Sequence, residues 1–387
     1  MLSTHRPDGE RSSAVSALFR APGWVFAASV DPEAGVTDPS VASNESGRGR
    51  PLLVDLALQG GGSHGAFTWG VLDRLLEESR LQIEGISGTS AGAMNAAVLV
   101  SGFEHGGREG ARTALEHFWR RVSDAAVLSP FQRTPLDQIS GRWTLDHSPI
   151  FLAMDMIARM VSPYDLNPTL VNPLHSILAE SIDFDAVRSS RIGLFITATH
   201  VCTGQGHVFR NFELKPEVLL ASACLPTLFK AVEIDGEPYW DGGYAGNPTI
   251  TPLIRETNSV DTLIVQVNPI ERPDAPRSAR DIISRLNEVA FNAPLLKELR
   301  MIALLHKLAD PGNDEGRRWA TMRIHRIASP MMASLGYSSK LNAEWRFLTM
   351  LRDEGRRATQ AFLDEHGGAL GQRSSLDLDT LLDGILH

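Results

Sequence analysis

The sequence predicts an α/β protein whose mostly parallel sheet is sandwiched between helices. Three observations carry that prediction. From Pro51 onward, short apolar runs of strand length alternate with longer stretches of helical periodicity, the pattern of βα units that build a parallel sheet covered on both faces. Two successive strand-to-helix junctions are rich in glycine, Gly60-Gly61-Gly62 and Gly88-Thr89-Ser90-Ala91-Gly92. No internal repeat is visible, and 387 residues suffice for one large domain with additions or for two.

Composition narrows the setting. The chain is 43% hydrophobic and 21% charged, with a formal net charge of -9, which excludes a general nucleic-acid binder because neutralising phosphates requires a basic face. Cys202 and Cys224 are too few for a disulfide framework and lack the clustering of a zinc site, so both are expected as core thiols in a reducing, cytoplasmic compartment. Residues 1–50 are rich in Ser, Pro, Gly, Asp and Glu and read as a disordered leader. Its apolar island Ala21–Val30 is far shorter than the roughly 20 residues that span a bilayer. It also sits late, behind Asp8 and Glu10, for a signal peptide, which leaves a local docking segment or a lipid-touching wedge.

In chain order, 52–58 is a strand. Residues 65–79 form a helix with Phe67, Val71, Leu72, Leu75 and Leu76 on one stripe, 81–87 is the next strand, and 91–103 is a nearly all-apolar helix. An insertion over 104–180 carries Phe151, Leu152, Met154, Met156, Ile157, Met160 and Val161, expected to be core, or else an acyl-chain wall beside a cleft. Buried strands are predicted at 191–201 and 260–268. Residues 278–310 combine an apolar face with Arg280, Arg285, Lys297, Arg300 and Lys307. They suit packing on a sheet edge or in a dimer, or else an interfacial helix, with an interruption at Pro294. The organisation expected is a leader over 1–50, a catalytic domain over 51–270 and a helical extension over 271–387.

The glycine-rich stretch can be read three ways. Gly60, Gly62 and Gly65 match a dinucleotide fingerprint, Gly61, Ser63 and Gly65 match a nucleophile elbow, and Gly60-Gly61-Gly62 can form an anion-binding loop. A dinucleotide site needs an acidic residue ending the second strand, but Glu84 is followed by a second G-x-S-x-G around Ser90. A nucleophile elbow strains its serine and tolerates only small neighbours. Ser90 has Gly88, Gly92, Ala91, Ala93, Ala96 and Ala97 around it, whereas Ser63 has His64, Phe67 and Trp69. Ser90 is therefore the nucleophile candidate. Acyl transfer through a serine builds charge on the former carbonyl oxygen, and a triple-glycine loop at a helix N-terminus can aim several N–H groups at it. Gly60, Gly61 and Gly62 are thus the candidate oxyanion hole, at the carboxyl edge of neighbouring strands, where open α/β sheets place ligands.

A third constellation, Asp241 followed by Gly242 and Gly243, ends a short strand; alone, D-G-G is usually a turn. The three motifs, in this order, resemble the patatin-like phospholipases over roughly Leu52 to Pro269. That resemblance implies lipid acyl hydrolysis by a Ser-Asp dyad, with Ser90 as nucleophile, Asp241 as its base, no histidine, no cofactor and no metal. The family pattern carries Arg or Lys where this chain has His64, a side chain charged only part of the time near neutrality and less so at a helix N-terminus. It either serves the oxyanion loop or merely caps and packs. A Ser-His-Asp triad using His306 or His325, a non-catalytic lipid-binding protein and, least favoured, a dinucleotide-dependent oxidoreductase are the alternatives. The partners expected are a lipid ester substrate and a peripheral membrane contact, not nucleic acid; the sequence does not fix an oligomeric state.

Overall fold

The leucine-rich run at 52–58 becomes an interior strand of the sheet, and the elements that follow place a loop at its carboxyl end. The computed structural model describes residues 51–382 apart from 128, 130 and 167–171; the leader, with Ala21–Val30, lies outside the described residues. The strands are β1 (Leu52–Leu58), β2 (Leu81–Gly88), β3 (Gly193–His200), β4 (Gly206–Arg210), β5 (Val232–Ile234), β6 (Glu237–Asp241), β7 (Asp261–Val265) and β8 (Arg323–Ile327). The helices up to β7 are α1 (Gly65–Leu75), α2 (Ala91–Ala126), α3 (Pro135–Ile139), α4 (Pro149–Met160), α5 (Pro163–Leu166), α6 (Leu174–Ser181), α7 (Phe184–Ser189), α8 (Pro216–Ser222) and α9 (Thr251–Glu256). Beyond β7 come α10 (Ala279–Leu308), α11 (Asp314–Thr321) and α12 (Trp345–His366).

The sheet runs β5-β6-β3-β2-β1-β7-β8, with β4 also paired to β3. The pairs β1–β2, β1–β7, β2–β3 and β7–β8 are parallel, whereas β4, β5 and β6 form an antiparallel margin. Alternation along each central strand divides the apolar residues between two layers. Leu56, Leu58, Leu194, Ile196, Leu263 and Val265 face α1, α2 and α12, while Ala57, Phe195, Ile264 and Ile324 face α9, α10 and α11. That two-sided burial explains why these strands read as continuous apolar runs.

Several expectations change. Pro294 does not interrupt α10, which runs from Ala279 to Leu308. Proline removes one helical hydrogen bond, but Phe291, Leu295, Leu299 and Ile302 are buried on both sides of it and hold the helix against the sheet. In contrast, Ile282, Leu286 and Val289 leave an apolar stripe exposed along the first half of α10. The methionine-rich α4 is not core: Phe151 is buried, while Ile150, Leu152, Met154, Met156, Ile157 and Met160 are exposed. Helix α2 extends to Ala126 with a break at Gly106 and Gly107. Cys224 is buried but Cys202 is exposed, in the turn after β3.

Residues after 270 build into the same layers. β8 extends the sheet beside β7, and α12 crosses α1 at Gly70 and Gly355, where any Cβ would collide with the backbone of Arg352 or Phe67. This brings the chain preceding α12 against the loop that follows β1.

Candidate active site

Ser90 sits at the sharp turn from β2 into α2 with φ 54 and ψ -123, a conformation that a non-glycine residue adopts at a cost. Small neighbours make the turn feasible: a Cβ at Gly92 would collide with the carbonyl of Leu58, and one at Gly88 would lie 2.8 Å from the backbone of Gly92. The strain is held by buried hydrogen bonds. The Ser90 N–H donates to Ser222 Oγ at 2.9 Å, and that hydroxyl donates onward to Thr197 O at 2.7 Å. Thr89 Oγ1 donates to Gly246 O at 2.7 Å. The elbow is thereby fixed to β3, α8 and the turn after β6, with Ser90 only 8% exposed.

Asp241 is the last residue of β6, paired with Ala198 of β3, and is 2% exposed. Its N–H donates to Cys224 O at 2.8 Å, and its Oδ1 accepts from the N–H of Gly243 at 2.7 Å. The Ser90 side chain lies close enough to this carboxylate to favour its ionised form. Burial pushes its pKa up to about 7, and the Gly243 N–H, the Ser90 hydroxyl and the Lys340 charge each pull the other way. The adjoining glycines have no room for side chains: a Cβ on Gly242 would strike the Thr197 carbonyl, and one on Gly243 the Phe291 ring. The two residues singled out for chemistry, far apart in sequence, thus lie near each other at the carboxyl edge of the sheet.

The glycine loop lies beside them. A Cβ on Gly60 would be 2.8 Å from Ser90 Cβ. However, the N–H of Gly60 donates to Asn247 Oδ1 at 2.7 Å, so that amide is committed to anchoring the loop and is not a free oxyanion donor as expected. Gly60 O accepts from Asn268 Nδ2, also at 2.7 Å. Gln59 completes the fastening, accepting from the N–H groups of Val267 (3.0 Å) and Asn268 (2.8 Å) and donating to Asn292 Oδ1 (2.9 Å). Among the described residues, nothing accepts from the N–H groups of Gly61 or Gly62. Gly62 has φ +59, in the left-handed region that favours glycine, and opens the turn Gly62–His64, which contains the buried Ser63.

His64 does not behave as a part-time cation. It is buried, its Nε2 is 2.8 Å from Ser339 Oγ, and its ring meets Phe347 edge-on with centroids 6.2 Å apart. Burial, then the charges of Lys340 and Arg272, hold it well below the usual imidazole range and keep it neutral. The nearby cation is Lys340, from the turn Tyr337–Leu341. Burial lowers its pKa to about 8, and its Nζ donates to Asn268 Oδ1 at 2.5 Å.

Neither candidate triad histidine meets Asp241. His325 is fully buried on β8, with Nε2 3.0 Å from Asp261 Oδ1 and Nδ1 3.0 Å from Ser375 Oγ. Asp261 opens β7, so this cluster lies at the amino edge of the strands, opposite Ser90. His306 is exposed on α10. Glu84, the acid a dinucleotide site would use, instead accepts from the backbone and side-chain N–H groups of Asn258. Sequence reasoning missed Ser222, Asn247, Asn268 and Lys340, lone polar residues with no spacing to mark them.

The sequence pattern of the patatin-like phospholipases matches residues 56–254. Among solved structures, VipD from Legionella pneumophila is similar at a TM-score of 0.37 and 18% identity, over 82% of this chain and 67% of that one. Full-length ExoU, in complex with SpcU from the type III secretion system of Pseudomonas aeruginosa, is similar at 0.30 and 14%, over 87% and 60%. A stretch of 94 residues is 36% identical to a tRNA(Ile)-lysidine synthase of Geobacter sulfurreducens, covering 24% of this chain and 18% of that protein. The chain thus spans under a fifth of the curated relative's length.

Proposed function

Because the chain belongs to the patatin-like phospholipase family, we propose that it is a lipid acyl hydrolase of the phospholipase A type acting through a Ser90–Asp241 dyad. The observation that carries the reading is a buried Asp241 carboxylate whose ionised form is favoured by the nearby side chain of a serine on a strained elbow. Ser90 Oγ attacks the ester carbonyl while Asp241 takes its proton. The oxyanion is received by the N–H groups of Gly61 and Gly62, at the positive end of the helix dipole. Asp241 then returns the proton to the departing lysolipid oxygen, leaving an acyl group on Ser90. A water attacks that ester, giving its proton to Asp241; collapse frees the fatty acid and the proton returns to Ser90. A base with a pKa of about 7 is well matched to both directions of transfer near neutrality. Backbone amides, one hydroxyl and one carboxylate suffice for these steps.

A lipid surface fits the exterior. The apolar residues left uncovered on α4 and on the first half of α10 favour peripheral contact with a membrane, and no described helix is long and apolar enough to cross one. Residues 51–270 supply the chemistry, and the described part of the chain after 270 adds β8, α10 and α12 to the same layers. Mass spectrometry of products from phosphatidylcholine vesicles carrying different acyl chains at the two positions tests the proposal. Wild type should release a fatty acid and its matching lysolipid, and Ser90→Ala neither. Folded wild-type protein that releases no acyl chain from phospholipid, neutral lipid or a soluble ester would overturn it.

A further inference from the structure

The glycine loop is touched from an unexpected direction. The carbonyl of Lys340 lies where a side chain on Gly62 would go, 2.5 Å from its Cβ position, so the turn Tyr337–Leu341 packs on the candidate oxyanion hole. Lys340 Nζ donates to Asn268 Oδ1 at 2.5 Å, and the same amide donates from Nδ2 to Gly60 O at 2.7 Å, a two-bond relay from the ammonium to the loop. The ammonium also lies 6.0 Å from the centroid of Phe291, the ring that fills the space over Gly243. Through Ser339, the same turn fastens His64, leaving that side chain uncharged.

The charged and titratable groups around Lys340 are Asp241 on β6, Glu288 on α10, Arg272 after β7, the neutral His64 and, on its own turn, Tyr337, whose ring centroid lies 5.2 Å from the ammonium. Glu288 is already paired with both Arg272 and Arg285. Among the described residues no carboxylate forms an ion pair with Lys340, whose direct partner is a neutral amide. Asp241 is therefore the carboxylate in its field that has no cation of its own.

We propose that Lys340 is the positioning cation of the active site: it fixes the Gly60–Gly62 loop through Asn268 and biases Asp241 toward its ionised, proton-accepting form. The inference rests on the acyl-hydrolase reading. Its reach is electrostatic, and the direction follows from the pair: a cation near a carboxylate favours the ionised form, and loss of that cation makes the carboxyl a weaker acid. Of the other groups that sense Asp241, Cys224 and Tyr244 are pushed up to about 12 and stay neutral throughout the working range.

The profile of kcat/KM against pH on a soluble short-chain ester, read for wild type, Lys340→Arg and Lys340→Met, tests this. Wild type should rise through about pH 7 as Asp241 ionises and fall above about pH 8 as Lys340 loses its charge. Lys340→Arg should keep the rise and lose the fall, since a guanidinium stays charged. Lys340→Met should move the rise upward by about half to one pH unit, cutting the rate roughly three- to tenfold at pH 6.5. Carboxyl-carbon NMR of Asp241 should show the same upward move, and it needs no turnover. Coincident profiles with unmoved Asp241 titrations would overturn the proposal. Should Lys340→Met not fold, persistence of the alkaline fall in Lys340→Arg would overturn it just as well. A wild type that neither turns over nor labels at Ser90 would instead sink the hydrolase reading, and the Asp241 titration would still decide whether Lys340 acts on that carboxyl.

Discussion

Replacing Asp241 by Asn should destroy activity and stabilise the fold, with the gain growing as pH rises. In the folded protein Asp241 keeps its proton up to about pH 7, whereas its ordinary value is 3.8. Between those values the native state binds a proton that the unfolded chain has released, so stability falls as pH rises, and the full cost is present above about pH 7. The gap of about three pH units corresponds to about 4 kcal/mol at pH 8, and to about 2 kcal/mol at pH 5, part-way between the two values, where the unfolded side chain is already mostly ionised and the native one still holds its proton. An amide carries no such cost. Its oxygen can still accept from Gly243, and its N–H can meet Ser90, so any constant offset from altered hydrogen bonding cancels when two pH values are compared. Urea unfolding of wild type and Asp241→Asn at pH 5 and pH 8 should show the variant's advantage growing by about 2 to 3 kcal/mol across that interval. Ester hydrolysis should fall by about 10²- to 10⁴-fold with the base removed. An advantage equal at both pH values would mean that Asp241 is ionised throughout, and near-normal turnover would mean that it is not the base.

Ser90→Ala should abolish hydrolysis with an unchanged melting temperature, whereas Ser63→Ala should keep most activity, because Ser63 is packed within the turn Gly62–His64; equal loss in both variants would misplace the elbow. His64→Arg should lower thermal stability by several kcal/mol, since it buries a guanidinium beside Lys340 and Arg272. Calorimetry showing a neutral effect would mean that the pocket admits a charge. His325→Leu should cost about 1–3 kcal/mol by removing one buried hydrogen-bond partner of Asp261, which keeps Arg323 and the Gly371 N–H, yet leave kcat of the folded fraction intact. A dead, well-folded His325→Leu would revive a triad.

The parallel core was legible because two-sided burial turns strands into apolar runs: 52–58 was read with its observed limits, and β2, β3 and β7 to within a few residues. Ser90 stood out because an elbow needs glycine or alanine on every side, a requirement written locally. Asp241 is legible only as the partner of that motif, since D-G-G alone marks a turn. What escaped reading depends on closure of the chain. Pro294 breaks helices in general, but its penalty is smaller than the burial of Phe291, Leu295 and Leu299 around it. α4 carries the composition of a core helix and nothing in its own residues says which face, if any, will be covered. His64 looked like a titrating side chain until Ser339 and Phe347, from the far end of the chain, enclosed it. Asn247 committing the Gly60 amide, and Lys340 arriving beside Gly62, are long-range events with no local pattern.

The dyad itself is tested most directly by fluorophosphonate labelling followed by peptide mass spectrometry, at pH 8 where Asp241 is ionised. The account predicts one phosphonylated serine in the peptide containing Ser90, no adduct in Ser90→Ala, and a rate in Asp241→Asn lower by at least about 10²-fold. Folded wild-type protein left unmodified at Ser90, or labelled there just as fast without the Asp241 carboxylate, would contradict it.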